Sequence, residues 1–507
     1  MNERLPLLTA AGLALSLAMI SWAFHIHAIS YAAMAIGVLA AAAATIAQSE
    51  GVRSKRHAVT FGACALEDRD FCRHGIVVGQ PGTGKTELLK RILSQLMINR
   101  PNFGAIMTDE KGDLHGPVSD VCAANNCSDK LVVMRPRKYG IPGEIPKWRM
   151  NLIGDRSISW QSHAQLIVDT AISQGQKTSQ AHFKTQALDR IAEAMETLHL
   201  AGSPVTLDNV YEFIKDPQIF DSQLGLMMNR EANPDRANIL YDGWKQYLAK
   251  APEELSGIRG TIENYLGPYI EPEIAETFCA PEPTVEINDL DKGKILFISI
   301  PQQYTRARKH VMAFAKILYY RDSLGRFDNY DARGFDALNM HVGLFDEGQN
   351  SLLASEDGYS DYNTLDKMRS AKCPVWFMMQ CYTSATPVLQ SEAKVKVLKA
   401  NIGTHVIFRL ASEDGRKLAS QVIGEHEVME KSHSRSKGVT TTSISPKVKP
   451  VLGTWVFRKL PDFYAIIKHP TSQRDFFRVH LPPLTDDGKR RAPWYWKYRL
   501  KQSVGFA

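Results

Sequence analysis

No Asp, Glu, Lys or Arg occurs between Leu5 and Ser49, and the apolar residues there form two runs, Leu5 to Phe24 and Ser30 to Ala47, parted by His25 to Ile29. A helix needs about 20 residues to cross a hydrocarbon layer, so each run is long enough. The pattern predicts a two-helix transmembrane hairpin over residues 1–49. Trp22, Phe24 and Tyr31 flank the turn, as amphipathic rings do at a membrane surface, while Gly12, Ser16, Ala33, Gly37 and Ala41 space small residues for close helix contact. Arg4 precedes the first run and Arg53, Lys55 and Arg56 follow the second, which places both ends in the cytoplasm by the positive-inside bias.

After the hairpin the pattern changes. Short apolar runs at Gly75 to Val78, Gly104 to Thr108 and Leu131 to Met134 alternate with helical spacing such as Lys85 to Ile98, the order of a parallel α/β sheet. From Asp155 to Ala280 the spacing is helical throughout, with segments at Ala164 to Ser173, Phe183 to Leu200, Ala237 to Lys250 and Gly257 to Tyr265. Sheet-like runs resume at Lys294 to Ile300, His341 to Phe345, Pro374 to Met379 and His405 to Leu410, each apolar enough to be buried on both faces. The expected organisation is a sheet domain from residues 50–154 and 281–483, an all-α insertion at 155–280, and a tail at 484–507. Within the sheet domain, Met429 to Pro450 is rich in Ser, Thr and Lys with Glu430 as its acid, and is expected to be a mobile basic loop. In the tail, Lys489, Arg490, Arg491, Lys497, Arg499 and Lys501 interleave with Trp494, Tyr495, Trp496 and Tyr498.

Composition alters this picture only a little. The formal charge of +7 is compatible with nucleic acid or an anionic membrane but selects neither. The mean hydropathy of -0.24 averages two unlike parts, because Arg4 is the sole Lys or Arg in residues 1–49. Seven scattered cysteines without a CxxC pair suggest neither zinc nor a disulfide framework, and read as reduced thiols.

The strongest chemical signal is GQPGTGKT, from Gly79 through Gln80, Pro81, Gly82, Thr83, Gly84 and Lys85 to Thr86. It follows a strand and opens a helix, the setting in which such a loop wraps phosphates. The glycines let backbone N–H groups close on phosphate oxygens, Lys85 reaches the β and γ phosphates of ATP, and the Thr86 hydroxyl is placed to ligate Mg²⁺. HVGLFDE then ends in Asp346 and Glu347. Asp346 is assigned to the metal shell, and Glu347, one residue further, to the attacking water. Gln380 ends the strand-like PVWFMM, where a polar side chain can report on the γ-phosphate. Arg409 and Arg416 are candidates for an arginine acting on a neighbouring subunit's nucleotide.

Spacing narrows the family. Between Lys85 and Asp346 the chain advances 261 residues, far more than the short βαβ step usual in AAA+ proteins. With the N-terminal hairpin and the Gln-bearing strand, this resembles the type IV secretion coupling proteins of the TraD/TraG and TrwB type. TDEKGDL (Thr108 to Leu114), ENYLGPYIEPEIAETF before DLDKGKILFISIP, and IGEHEV (Ile423 to Val428) are similar to passages of that family, whereas WRMNLIG departs from its Asn-Pro-Leu. The resemblance implies a RecA-like hexameric ATPase anchored in a bacterial inner membrane. It would recruit relaxase-bound single-stranded DNA and drive it to the secretion channel proteins. Alternatives are a coupling ATPase that delivers protein effectors only, a FtsK- or HerA-like translocase, and a membrane scaffold that binds nucleotide without turnover.

Overall fold

The computed structural model describes residues 57–483 except 139–142, 176–180, 231–232, 330–333, 356–357, 437–438 and 473. The expected hairpin of residues 1–49 and the tail of 484–507 lie outside the described residues. Among the described residues no helix is long and apolar enough to cross a membrane.

Strands β1 (His57–Phe61) and β2 (Cys64–Glu67) form a small sheet of their own. The main sheet opens with β3 (Gly75–Val78), followed by helix α1 (Lys85–Asn99), β4 (Gly104–Asp109), α2 (His115–Ala124) and β5 (Leu131–Met134). Among the described residues seven α-helices come next: α3 (Trp160–Ser173), α4 (Ala181–Ala201), α5 (Leu207–Lys215), α6 (Pro217–Asn229), α7 (Pro234–Leu248), α8 (Pro252–Leu266) and α9 (Pro272–Phe278). The sheet then resumes with β6 (Ile295–Ser299), α10 (Thr305–Gly325), β7 (His341–Phe345), α11 (Asp361–Met368), β8 (Val375–Met379), α12 (Glu392–Asn401), β9 (Thr404–Ile407) and α13 (Glu413–Ile423). A ribbon of β10 (Glu425–Ser436) and β11 (Val439–Pro450) precedes β12 (Tyr464–Lys468) and β13 (Phe477–His480).

The main sheet runs in the order β13-β12-β9-β3-β8-β7-β4-β6-β5. Strands from β9 to β5 are parallel, and β12 and β13 add an antiparallel edge. Every residue of β3, β4, β6, β7, β8 and β9 is buried, the outcome expected of short runs with apolar residues at both odd and even positions.

The helices between β5 and β6 owe their boundaries to local chemistry. Thr206 caps α5, Asp216 caps α6 and Asn233 caps α7, each side chain accepting from a backbone N–H in the first turn. Helices α6 to α9 each open with proline, whose missing N–H costs nothing at the first helical position. Their packing centres on Trp244, which is fully buried, meets Phe213 and Phe220 edge-on at 5.3 Å, and donates from its indole nitrogen to Thr197 Oγ1 at 3.0 Å.

One segment differs from the sequence expectation. Met429 to Pro450 is no loop but part of an antiparallel ribbon, paired from Glu425↔Pro450 to Ser436↔Val439. The Ser and Thr content that suggests mobility accompanies β-branched Thr440, Thr441, Thr442, Ile444 and Val448, which suit extended backbone.

The core also holds a fully buried ion pair. Lys316 of α10 meets Asp361 Oδ1 at 2.8 Å and donates to the Ser351 carbonyl at 3.0 Å, with its ammonium 4.6 Å from the Phe377 ring centre. Asp361, the first residue of α11, also accepts from the Tyr320 hydroxyl and, at 2.7 Å, from Leu353 N–H. Burial pulls the Lys316 pKa down against the opposing pull of Asp361. Removing one partner of such a pair strands the other charge in the core, a loss of about 3–5 kcal/mol. Asp361→Ala is therefore expected to lower unfolding free energy in urea by that much, and the double variant Lys316→Met/Asp361→Leu to recover most of it. A single-variant loss under about 1 kcal/mol would contradict the assignment.

Candidate functional site

The phosphate-type loop leaves β3 between two neighbours that pin its start. Gly79 N–H donates to the Met379 carbonyl at the end of β8 (3.2 Å), and Gln80 N–H donates to the Arg409 carbonyl just past β9 (2.9 Å). A Cβ on Gly79 would lie 2.7 Å from both Phe408 Cβ and Thr83 Oγ1, so only glycine fits. Gly84, at φ 114°, turns the chain into α1 through a left-handed conformation that side chains resist. Thr83 braces the loop from within, its hydroxyl donating to the Gln80 carbonyl at 2.8 Å and its carbonyl accepting from Phe463 N–H at 3.0 Å. Helix α1 receives no side-chain cap at its N-terminus. Its first N–H groups therefore keep the partial positive charge that favours an anion.

Lys85 is buried, and its ammonium donates to the Gly79 carbonyl at 2.6 Å and the Gln80 carbonyl at 3.4 Å. Burial lowers its pKa against the pull of Glu347 and Asp346. Pro81 and Gly82 at the crest are exposed, and Thr86 lies half-buried in the first turn of α1.

Across the sheet, β7 delivers the acidic pair. Asp346 donates from its N–H to the Thr108 carbonyl at 3.3 Å, and its Oδ2 is buried without a hydrogen-bond partner among the described residues. Burial, aided by the neighbouring Glu347 charge, pushes Asp346 up to about 6. Glu347 adopts a left-handed conformation with φ 43°. Its Oε1 lies 3.0 Å from Lys111 Nζ, and its Oε2 accepts from Gln349 Nε2 at 2.8 Å. Burial raises its pKa, but the hydrogen bonds from Gln349 and Lys111 outweigh that, and the net shift is downward. Two adjacent carboxylates are thus driven apart, which suits them to different roles.

Strand β8 lies between β3 and β7, so Gln380, exposed one residue past β8, stands between the loop and the acidic pair. Adjacent strands are about 4.8 Å apart, which sets the scale of the cleft. Arg409 lies beside its own loop in this single chain. Its guanidinium lies 2.6 Å from Asp462 and, with the Gln80 amide oxygen facing it, donates to Gln80 at 2.7 and 3.1 Å. Because β9 is the neighbour of β3, Arg409, two residues past β9, reaches its own loop. Arg416 likewise turns inward, to the Ala411 and Leu410 carbonyls.

The sequence motifs assign no role to several participants. Asp109, at the end of β4, accepts from Gly112 N–H at 2.7 Å, Leu114 N–H at 2.9 Å and Ser299 Oγ at 2.9 Å, and so fixes the turn that carries Lys111. Phe408 and Phe463 wall the loop's glycines. The TDEKGDL run contains the signal for Lys111, but its partner lies on another strand.

Residues 33–328 match the family described as type IV secretory system conjugative DNA transfer. The chain belongs to this family, the type IV coupling proteins. Residues 360–462 of this family member match a further model, the TraM recognition site of TraD and TraG. No curated protein matches the chain. Among solved structures, the bacterial conjugative coupling protein TrwBdeltaN70 is similar at 16% identity with a TM-score of 0.61, over 84% of this chain and 88% of that one. TrwB in complex with the non-hydrolysable analogue ADPNP is similar at 16% identity and a TM-score of 0.59, covering 86% and 91%. TrwB in complex with ADP and Mg²⁺ is similar at 17% and 0.59, covering 86% and 91%. The shared architecture is an α/β, RecA-like fold.

The unpartnered Asp346 has a measurable cost. Its folded pKa of about 6 exceeds the ordinary 3.8, so the folded chain holds a proton that the unfolded chain releases. Stability from this group is full below the ordinary value and declines as pH rises through about 6. Asp346→Asn should therefore raise metal-free stability at pH 7.5 by roughly 3 kcal/mol, with the gain fading below pH 4, as followed by thermal unfolding. A gain that persists unchanged at low pH would contradict this origin.

Proposed function

We propose that this coupling protein is an ATPase that uses nucleotide hydrolysis to move relaxase-bound single-stranded DNA toward a type IV secretion channel. The observation that carries the reading is a phosphate loop and a buried acidic pair held two strands apart in one parallel sheet, in a chain of the conjugative DNA transfer family. Gly79 to Thr86 would cradle the phosphates, with Lys85 exchanging its two loop carbonyls for phosphate oxygens.

ATP is the substrate and Mg²⁺ its companion. The residues fit the ion: Asp346 offers a buried oxygen without a hydrogen-bond partner among the described residues, and Thr86 follows Lys85 in the first turn of α1. These two side chains would hold it, and when bound it offsets negative charge on the phosphates. Glu347 then acts as base. Its carboxylate takes a proton from water as the water oxygen adds to the γ-phosphorus, while the bond from phosphorus to the ADP oxygen breaks. Gln380, between the two halves, is suited to contact the γ-phosphate, and Arg409 adds positive charge at the loop's flank.

TrwB has been crystallised with ADPNP and with ADP and Mg²⁺, which supports the same ligands here. The match to a TraM recognition site supports a partner from the DNA-processing machinery. Membrane anchoring through residues 1–49 in a bacterial inner membrane, cytoplasmic termini and assembly as a homohexamer complete the proposal. DNA would be held mainly through phosphates. Lys431, Lys447 and Lys449 on the β10–β11 ribbon are candidate contacts, and so is the tail of residues 484–507.

Lys85→Ala should abolish nucleotide binding and hydrolysis together. Glu347→Gln should keep binding while turnover falls at least about a hundredfold. ATPase assays paired with nucleotide titration separate the two, and near-normal turnover in both variants would end the ATPase reading. Stimulation by single-stranded DNA should decline steeply between about 50 and 200 mM salt, because phosphate contacts release counterions. A flat salt response would remove phosphate-led binding from the proposal.

A further inference from the structure

Both oxygens of the Glu347 carboxylate are engaged, Oε1 by Lys111 and Oε2 by Gln349. Each donor stabilises the charged carboxylate, and a carboxylate so stabilised is a weaker base toward a water proton. The two donors differ in kind. Gln349 sits two residues along the same segment, in the short turn after Glu347 whose backbone closes with Asn350 N–H donating to the Glu347 carbonyl at 2.9 Å. Lys111 comes from a different strand end and brings a full charge.

The turn that presents Lys111 is anchored on both sides. Asp109 holds it from one end, Arg135 Nη1 donates to the Gly112 carbonyl at 3.1 Å, and Gln302 Nε2 donates to the Glu110 carbonyl at 2.7 Å. Glu110 is itself paired with the buried Arg308 of α10 at 3.0 Å. The backbone is therefore fixed while the Lys111 side chain is 48% exposed. Its ammonium can leave Glu347 by rotamer change alone, without moving the turn. Of the two cations that act on Glu347, Lys85 is buried against its own loop and reserved for the nucleotide, whereas Lys111 is half exposed.

We propose that Lys111 is a positioning residue that holds Glu347 in an engaged, slow state, and that a phosphodiester of single-stranded DNA draws the Lys111 ammonium away and frees the carboxylate. The inference rests on the ATPase reading above and adds to it a route by which cargo sets the hydrolysis rate. It requires only an exchange of ion-pair partners: Lys111 trades a carboxylate for a phosphate, and Glu347 trades an ammonium for water.

The test compares the full chain with Lys111→Ala, Lys111→Arg and Gln349→Leu, each assayed with and without a thymidine homo-oligonucleotide. The wild type should be slow alone and accelerated by the oligonucleotide. Lys111→Ala should hydrolyse ATP about fivefold faster than wild type without DNA, the scale of losing one partly exposed ion pair. Its KM for ATP should be unchanged, and it should gain little from DNA. Lys111→Arg should restore the wild-type pattern, and Gln349→Leu should raise the DNA-free rate while keeping DNA stimulation. An active wild type with Lys111→Ala slowed equally in both conditions, at an unchanged melting temperature, would overturn the hold alone. A wild type without ATPase activity in either condition would overturn the ATPase reading and the hold with it.

Discussion

The pairing of β3 with β8 on one side and β9 on the other is the constraint on which the site depends. Parallel hydrogen bonding in fixed register, Val78 opposite Met379 and Ile407, brings three strand ends to one level. From that level the loop receives its first two backbone anchors, at Met379 and Arg409. One strand further, β7 ends beside β8 and delivers Asp346 and Glu347. A slip of one residue in any of these ladders would turn buried side chains toward the opposite face. The chemistry is therefore positioned by sheet register, and the helices that cover the sheet keep that register by burying both of its faces.

Within this frame, electrostatics distinguishes residues that sequence alone leaves alike. Asp346 and Glu347 are adjacent carboxylates, yet one lacks a donor and shifts up while the other gathers two donors and shifts down. Lys85 lies across the cleft, buried and resting on carbonyls of its own loop. The arrangement stores unfavourable charge at the site, and binding a phosphate-bearing ligand with its cation would relieve it. Stability is conceded where function needs poorly satisfied groups, while the Lys316–Asp361 pair nearby shows how a fully satisfied buried charge is held in the same fold.

Much of this is legible in the sequence. The apolar runs mark β3, β6, β7, β8 and β9 because strands buried on both faces carry no polar alternation to confuse the pattern. The phosphate loop is legible because its glycines, lysine and threonine act through local backbone geometry. The contacts that Lys111 and Gln349 make with Glu347 are not legible. Lys111 meets Glu347 only through β4–β7 pairing, and Gln349 is indistinguishable in sequence from any polar residue after a strand. Arg409 resists placement for a related reason: a strand-end arginine carries no mark of which strand lies beside it. The ribbon at Glu425–Pro450 is mistaken for a loop because its composition outweighs the β-branched residues of its β11 half.

That ribbon carries an evolutionary consequence. Among the described residues its strands pair only with each other, and its base is closed by Val451 N–H donating to the Gly424 carbonyl at 3.0 Å. Adding or deleting residues in matched pairs along it leaves every ladder of the main sheet intact. Met429, Ile444 and Val448 on it are more than half exposed, so the main core exerts little selection on their size or shape. The ribbon's length and surface can therefore change without disturbing the strands around the phosphate loop.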